Sequence, residues 1–393
     1  MKLSRRKFLL DATAAGAALA FGRWTPIRTR AQVPAHRIVH THSSEATYWD
    51  YATGWYGDYV SQSVVDAMTD RGVMALTNTT TLADAWRALI PAYAAGQTVA
   101  IKINLNNASC GDTHQIIDAL PQPINSVIRG LKAIGVAESN IRVYDVTHSL
   151  PGWHNGEMPT RLVAQVTALY PNVQFHSNES GCSTALGYST TASIHFNFPS
   201  GKPEITDRPI CNALVDATYL INMPIMKKHG MAGVTLGFKN HFGSFDHCDY
   251  VHWSVDLDDG DYVSTYNGLV DIYNNAHIKN KTVLTIGDGL YGARIDNYSE
   301  VPSPWPTFGD KSPNSLFFSI DPVAIDCVMY DFLDAEGGVP AGSDDYLKLA
   351  NTNGLGTFEH WDGAHQYHAI DYQRIETGLL PPRAYLPLVR RGN

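Results

Sequence analysis

Two short apolar runs separated by one amphipathic stretch constrain this chain most. Thr98-Val-Ala-Ile-Lys-Ile-Asn104 alternates as a buried strand does, and Ile141-Arg-Val-Tyr-Asp-Val146 has the same character. Between them, Pro123 to Ile134 places Ile124, Val127, Ile128 and Leu131 on one helical face, with Gly135 as its stop. Strand, helix and strand within about fifty residues form a unit whose strands are parallel and whose crossover is right-handed. Thr218 to Met223, Thr282 to Asp288 and Leu316 to Ile320 supply further strands. Gln62 to Arg71, Leu82 to Ala94, Arg161 to Tyr170 and Leu269 to Ala276 have helical spacing. Asp321-Pro322 caps a last helix running to about Leu333. The expected fold is α/β, with an open, largely parallel central sheet of the doubly wound type. Helices cover both faces, and residues 177–207 make a long irregular insertion.

In such a sheet, ligands bind at the carboxyl ends of the strands. Lys102 and Asn104 end the first strand on one face, opposite Val99, Ile101 and Ile103. A lysine there either meets an anion or closes a structural salt bridge, since lysine is rarely buried alone. Asp145 and His148 stand at or beyond the end of the second strand, and Asp288 ends Thr282 to Asp288. The stretch Ala217 to Gly243 adds a strand stopped by Pro224, then Lys227, Lys228 and His229. A basic loop is expected there, followed by a helix over Val234 to His241 that would put Thr235 and Lys239 on one face.

Pro224, Lys227, His229, Gly233, Thr235, Gly237, Lys239, Asn240 and Gly243 resemble the signature of the domain-of-unknown-function 362 family. Lys102-Ile103-Asn104-Leu105 resembles that family's early Lys-x-Asn element, and Asp321-Pro322-Val323-Ala324 with Asp326 its late element. The resemblance covers most of the chain after the N-terminal segment. Lys228 departs from the pattern, which more usually has a small hydroxyl residue there. The resemblance implies an architecture and site positions, not a reaction.

Ser4-Arg5-Arg6-Lys7-Phe8-Leu9-Leu10 is a twin-arginine pattern, and a weakly hydrophobic Ala12 to Phe21 run follows it. Residues 1–31 are expected to be a signal peptide read by the twin-arginine translocase. Residues 32–393 are then a single α/β domain, periplasmic or extracellular, with no stable membrane span after cleavage. That route carries folded proteins, so a cofactor loaded before export is compatible with it.

The net charge of −9 disfavours non-specific nucleic-acid binding and makes the basic 227–241 cluster stand out. None of the five cysteines forms a Cys-x-x-Cys pair, which argues against an iron–sulfur cluster or a zinc ribbon. His40 with His42, and His247 with Asp249 and His252, are further candidate metal donors. No Gly-x-Gly-x-x-Gly fingerprint and no Gly-x-Ser-x-Gly elbow is present.

Four strands thus deliver polar groups to one expected crevice. The leading expectation is an exported enzyme acting on a small anionic molecule, with Lys227, His229 and Lys239 catalytic. Lys102, Asn104, Thr235 and Asn240 would bind the ligand. Asp145, His148 and Asp288 would hold a divalent metal ion, if the site carries one. A non-catalytic exported protein binding an anion or a metal is the alternative.

Overall fold

A computed structural model describes residues 33–378, apart from 106–107, 109, 112–115, 147–156, 178–182, 200–205, 260–263, 295–300 and 310. The strands are β1 (Arg37–His42), β2 (Val99–Lys102), β3 (Ile141–Tyr144), β4 (Gln174–His176), β5 (Tyr188–Ile194) and β6 (Arg208–Cys211). They continue with β7 (Tyr219–Asn222), β8 (Ile225–His229), β9 (Gly233–Thr235), β10 (Thr282–Ala293), β11 (Ser315–Ser319) and β12 (Asp371–Glu376). The main helices are α1 (Gln62–Thr77), α2 (Leu82–Leu89), α3 (Pro121–Ala133), α4 (Thr160–Thr167), α5 (Gly268–Asn274), α6 (Pro322–Ala335) and α7 (Asp345–Thr352).

The central sheet runs β12-β1-β11-β10-β7-β2-β3-β4, with β8 and β9 branching from β10. Every neighbouring pair from β10 through β7, β2 and β3 to β4 is parallel, as is β1 with β12. Only β11, between β1 and β10, and β9, beside β8, run against them. The open, mostly parallel sheet expected from the strand–helix–strand unit is therefore present. The 177–207 insertion contributes β5, which pairs antiparallel with β6 as a separate two-stranded sheet.

Two hydrophobic cores fill the two faces. Val99, Ile101 and Ile103 point into one, with Val143, Ile221 and the apolar stripes of α1 to α4. Ala100, Tyr144 and Leu220 point into the other, with α5, α6 and α7. Lys102 follows Ala100 by two residues and so shares the second face. Asp321 caps α6 by accepting from the N–H groups of Val323 and Ala324, as its Asp-Pro sequence predicts.

β10 positions the site. At 12 residues it outruns its neighbours. Its first part pairs with β7, and its later part pairs with β8. This surplus converts the expected basic loop into a strand: Lys227, Lys228 and His229 belong to β8, which folds back on β9. The helix expected over Val234 to His241 does not form either. Val234 and Thr235, both β-branched, lie in β9, and a 3-10 segment follows from Lys239 to Ser244. Gly233 makes the reversal possible with φ of 74°. Asp326 of α6 then holds the next turn, accepting from the N–H groups of Gly237 at 2.7 Å and Phe238 at 3.1 Å.

Candidate functional site

The carboxyl edge of the sheet carries two buried lysines in contrasting surroundings. Lys102 is fully buried. Its ammonium lies 3.3 Å from Asp145 Oδ2 and donates to Asn240 Oδ1 at 3.2 Å and to the Ile103 carbonyl. Asp145 also accepts from the Leu105 N–H at 2.9 Å. Asn240 donates onward to Asn222 Oδ1 at 2.8 Å, and Asn222 to the Gly237 carbonyl at 2.9 Å. Burial lowers the Lys102 pKa, and the Asp145 charge opposes that shift. Gly243 closes the knot from above: its carbonyl takes the Val146 N–H at 3.0 Å, and a Cβ at Gly243 would overlap Asp145 Oδ1. Lys102, Asp145 and Asn240 thus satisfy one another, the salt-bridge outcome of the two open to Lys102.

Lys239 has no such partner. Its side chain is buried, but no carboxylate of the described residues lies within ion-pair distance. The ammonium sits 3.2 Å from His252 Nε2 and 3.3 Å from the centroid of the Phe242 ring. Burial pushes the Lys239 pKa down to about 7; the nearby Cys248 thiol opposes that shift, and the charges of Lys227 and Lys102 add to it. The half-buried His229 and His252 rings lie parallel, 6.3 Å between centroids. His229 Nδ1 accepts from the N–H groups of Met231 and Ala232, both at 3.2 Å. Its neutral ring therefore carries its proton on Nε2. Desolvation, then Lys239 and Lys227, hold the His229 pKa well below the usual value. His252 is lowered by desolvation and by Lys239, while a hydrogen bond to the Asp249 backbone opposes them. His252 Nε2 is the ring nitrogen that faces Lys239.

Lys227 and Thr235 are direct partners across the β8–β9 pair, and His229 lies on the same face two residues on. Lys227 donates to the Lys228 carbonyl at 2.9 Å. Thr235 Oγ1 is buried without a hydrogen-bond partner, and so is Asn104 Oδ1. Both are costly unless a ligand or water completes them.

The candidate metal donors do not gather. Asp288 follows Ile286 and precedes Leu290 on the face of the first core, whereas Lys102, Asn222 and Thr285 form one row on the other. Alternation along β10 thus turns Asp288 to the face opposite Lys102. Its carboxyl accepts from the Leu290 N–H at 3.0 Å, and burial raises its pKa to about 7. His148 lies outside the described residues. His40 is held by Tyr372 and Ser315, and His42 by Glu376. His252 faces Lys239 rather than joining His247 and Asp249. Among the described residues no group of three or more His, Cys, Asp and Glu side chains is placed to hold a metal ion. Of the expected donors Asp145, His148 and Asp288, the two described ones do not converge: Asp145 pairs with Lys102, and Asp288 lies on the opposite face of the sheet.

Two residues named from the sequence take positions that it did not indicate. His252 was legible only as a metal donor, although a histidine flanked by Val251 and Trp253 was a sign of a packed imidazole. Asp326 is a carboxylate in the apolar helix α6, fully buried, that also accepts from the Tyr346 hydroxyl at 3.0 Å. That contrast within the helix was its signal.

An open α/β sheet with a lysine-rich carboxyl edge, closed by a strand that folds back on itself, defines the class of this protein. The chain belongs to the family described as Domain of unknown function (DUF362), whose profile matches residues 99–331. No curated protein matches the chain. No helix among the described residues is long and apolar enough to cross a membrane.

Proposed function

We propose that this chain is an exported enzyme acting on a small anionic molecule at the β8–β9 edge of the sheet. Lys227 attracts the anion, Thr235 completes its hydrogen bonds, and Lys239 exchanges a proton or attacks as a free amine. The observation that carries this reading is a buried lysine faced by an imidazole where a carboxylate would be usual. An amine with a pKa near 7 is poised for acid–base or nucleophilic work at neutral pH. His252 Nε2, within hydrogen-bond reach of that amine, orients it, and His229 Nε2–H serves as a neutral donor to developing negative charge. A bound anion offsets the mutual repulsion of Lys227 and Lys239. Lys102, Asn240 and Asp145 form the floor on which this pocket rests.

Residues 1–31 act, in this reading, as the twin-arginine signal, delivering the mature chain to the periplasm or the medium. Two observations favour that compartment: the Arg5-Arg6 pattern, and the disulfide at Cys110, a bond that oxidising surroundings preserve. The other described cysteines, Cys211, Cys248 and Cys327, are buried and form no disulfide. Replacing Arg5 and Arg6 together by Lys should strand the precursor in the cytoplasm, and undiminished export would refute the route.

The site reading is tested by purifying the protein from exporting cells, denaturing it and identifying released small molecules by mass spectrometry. An anion should be released by the native protein and by Lys279→Ala, and be missing from Lys239→Ala. Retention by Lys239→Ala would remove Lys239 from the site. Incubation with the identified anion then separates an enzyme, which converts it, from a carrier, which returns it unchanged.

A further inference from the structure

A cavity lies at the same edge of the sheet but at its other margin, where β1 and β12 end beside the C-terminal turn of α6. It encloses about 510 Å³, within the ordinary range for small-molecule sites. Rings line it continuously. His42 and Phe308 are 5.9 Å apart, Phe308 and Phe332 6.0 Å, Phe332 and Trp361 5.2 Å, and Trp361 stacks on His365 at 4.3 Å. Tyr372 adds a further ring.

The polar groups of this cavity are concentrated rather than scattered. Glu376 receives Arg374 Nε on one oxygen at 2.8 Å and lies 2.6 Å from His42 Nδ1 through the other. One carboxylate thus orients two cavity-lining side chains. The terminal guanidinium nitrogens of Arg374 and Nε2 of His42 carry no hydrogen bond to the described residues. They are donors held in place and left available.

We propose that this cavity binds a planar aromatic monocarboxylate, its ring between Phe332, Trp361 and Tyr372 and its carboxylate on the Arg374 fork. Three features select that class. The apolar ring walls favour a flat aromatic body over a sugar, which needs polar partners around its whole rim. The guanidinium matches a carboxylate with two parallel hydrogen bonds. Glu376 beside it offsets most of its charge, so a monoanion is accepted and a dianionic phosphate is repelled. This site is independent of the Lys239 pocket, because none of its residues takes part there.

The test is calorimetric titration of the mature protein with indole-3-carboxylate, alongside indole, cyclohexanecarboxylate and inorganic phosphate. Saturable binding of indole-3-carboxylate is expected, with each comparison compound at least about tenfold weaker, the loss of one good contact set. Arg374→Gln should abolish the preference for the acid over indole, and Trp361→Leu should weaken both aromatic compounds. Lys239→Met should bind like the native protein. An unchanged unfolding midpoint confirms that Arg374→Gln and Trp361→Leu are folded. Absence of saturable binding overturns the proposal, as does binding that survives Arg374→Gln unaltered. Loss of binding in Lys239→Met would assign the ligand to the other pocket and equally refute it.

Discussion

Lys102 and Lys239 are both buried at one sheet edge, yet only Lys102 is neutralised by its surroundings. Lys102 finds a carboxylate, a side-chain amide and a carbonyl within reach. Lys239 finds an imidazole and an aromatic face. Burial alone therefore does not identify a working lysine; the chemistry of its partners does. Where the partners complete the charge, the lysine holds strands together. Where they leave it incomplete, the fold accepts a group that prefers to lose its proton.

The largest expected effect breaks the completed side. Lys102→Met leaves Asp145 buried without its cation and should cost about 3–5 kcal/mol in denaturant unfolding. Lys239→Met removes an uncompensated charge, and its stability should equal or exceed that of the native protein. A Lys239→Met variant as unstable as Lys102→Met would erase the distinction. Gly243→Ala comes next. It forces a methyl group into the space of Asp145 and the Lys102 ammonium, an overpacking expected to cost about 1–3 kcal/mol. A neutral outcome would mean that the knot is looser than its contacts indicate.

Read against pH rather than as a single loss, the last effect is a slope. Burial raises the Asp288 pKa from 3.8 to about 7, so the fold favours its neutral form. Its contribution to stability is complete below pH 3.8 and is lost as pH rises through about 7. Asp288→Asn should flatten the fall in stability across that interval, read from unfolding midpoints at successive pH values. An unchanged slope would show that Asp288 is ionised in the native protein. Lys239 works in the other window. Its pKa is lowered from 10.5 to about 7, so its contribution is present above 10.5 and lost as pH falls through about 7.

Much of the completed region was legible in the sequence. An apolar alternation interrupted by Lys102, and a second strand ending at Asp145, put a buried cation and a carboxylate at the same sheet edge, with a salt bridge as one of the two readings open to Lys102. The β8–β9 hairpin was not, because Lys-Lys-His reads as a solvated loop until β10 is seen to extend far enough to pair with it. The contact between Lys239 and His252 was hidden for a similar reason: it joins two separate 3-10 segments, Lys239–Ser244 and Cys248–Val255, whose approach no spacing along the chain encodes. Asp288 was read as the end of its strand, but β10 runs on to Ala293, and the face Asp288 takes depends on the register between β10 and β7. Register is a property of the assembled sheet, and a shift of one residue would have reversed it.

The central claim is that Lys239 titrates near neutrality while Lys102 stays charged through its carboxylate. Nuclear magnetic resonance of protein labelled with ¹³C at lysine Cε measures this directly, with the two signals assigned by Lys239→Met and Lys102→Met. The Lys239 signal should move with a midpoint near pH 7, and the Lys102 signal should remain that of an ammonium across the same interval. A Lys239 midpoint close to the ordinary lysine value of 10.5 would contradict the account.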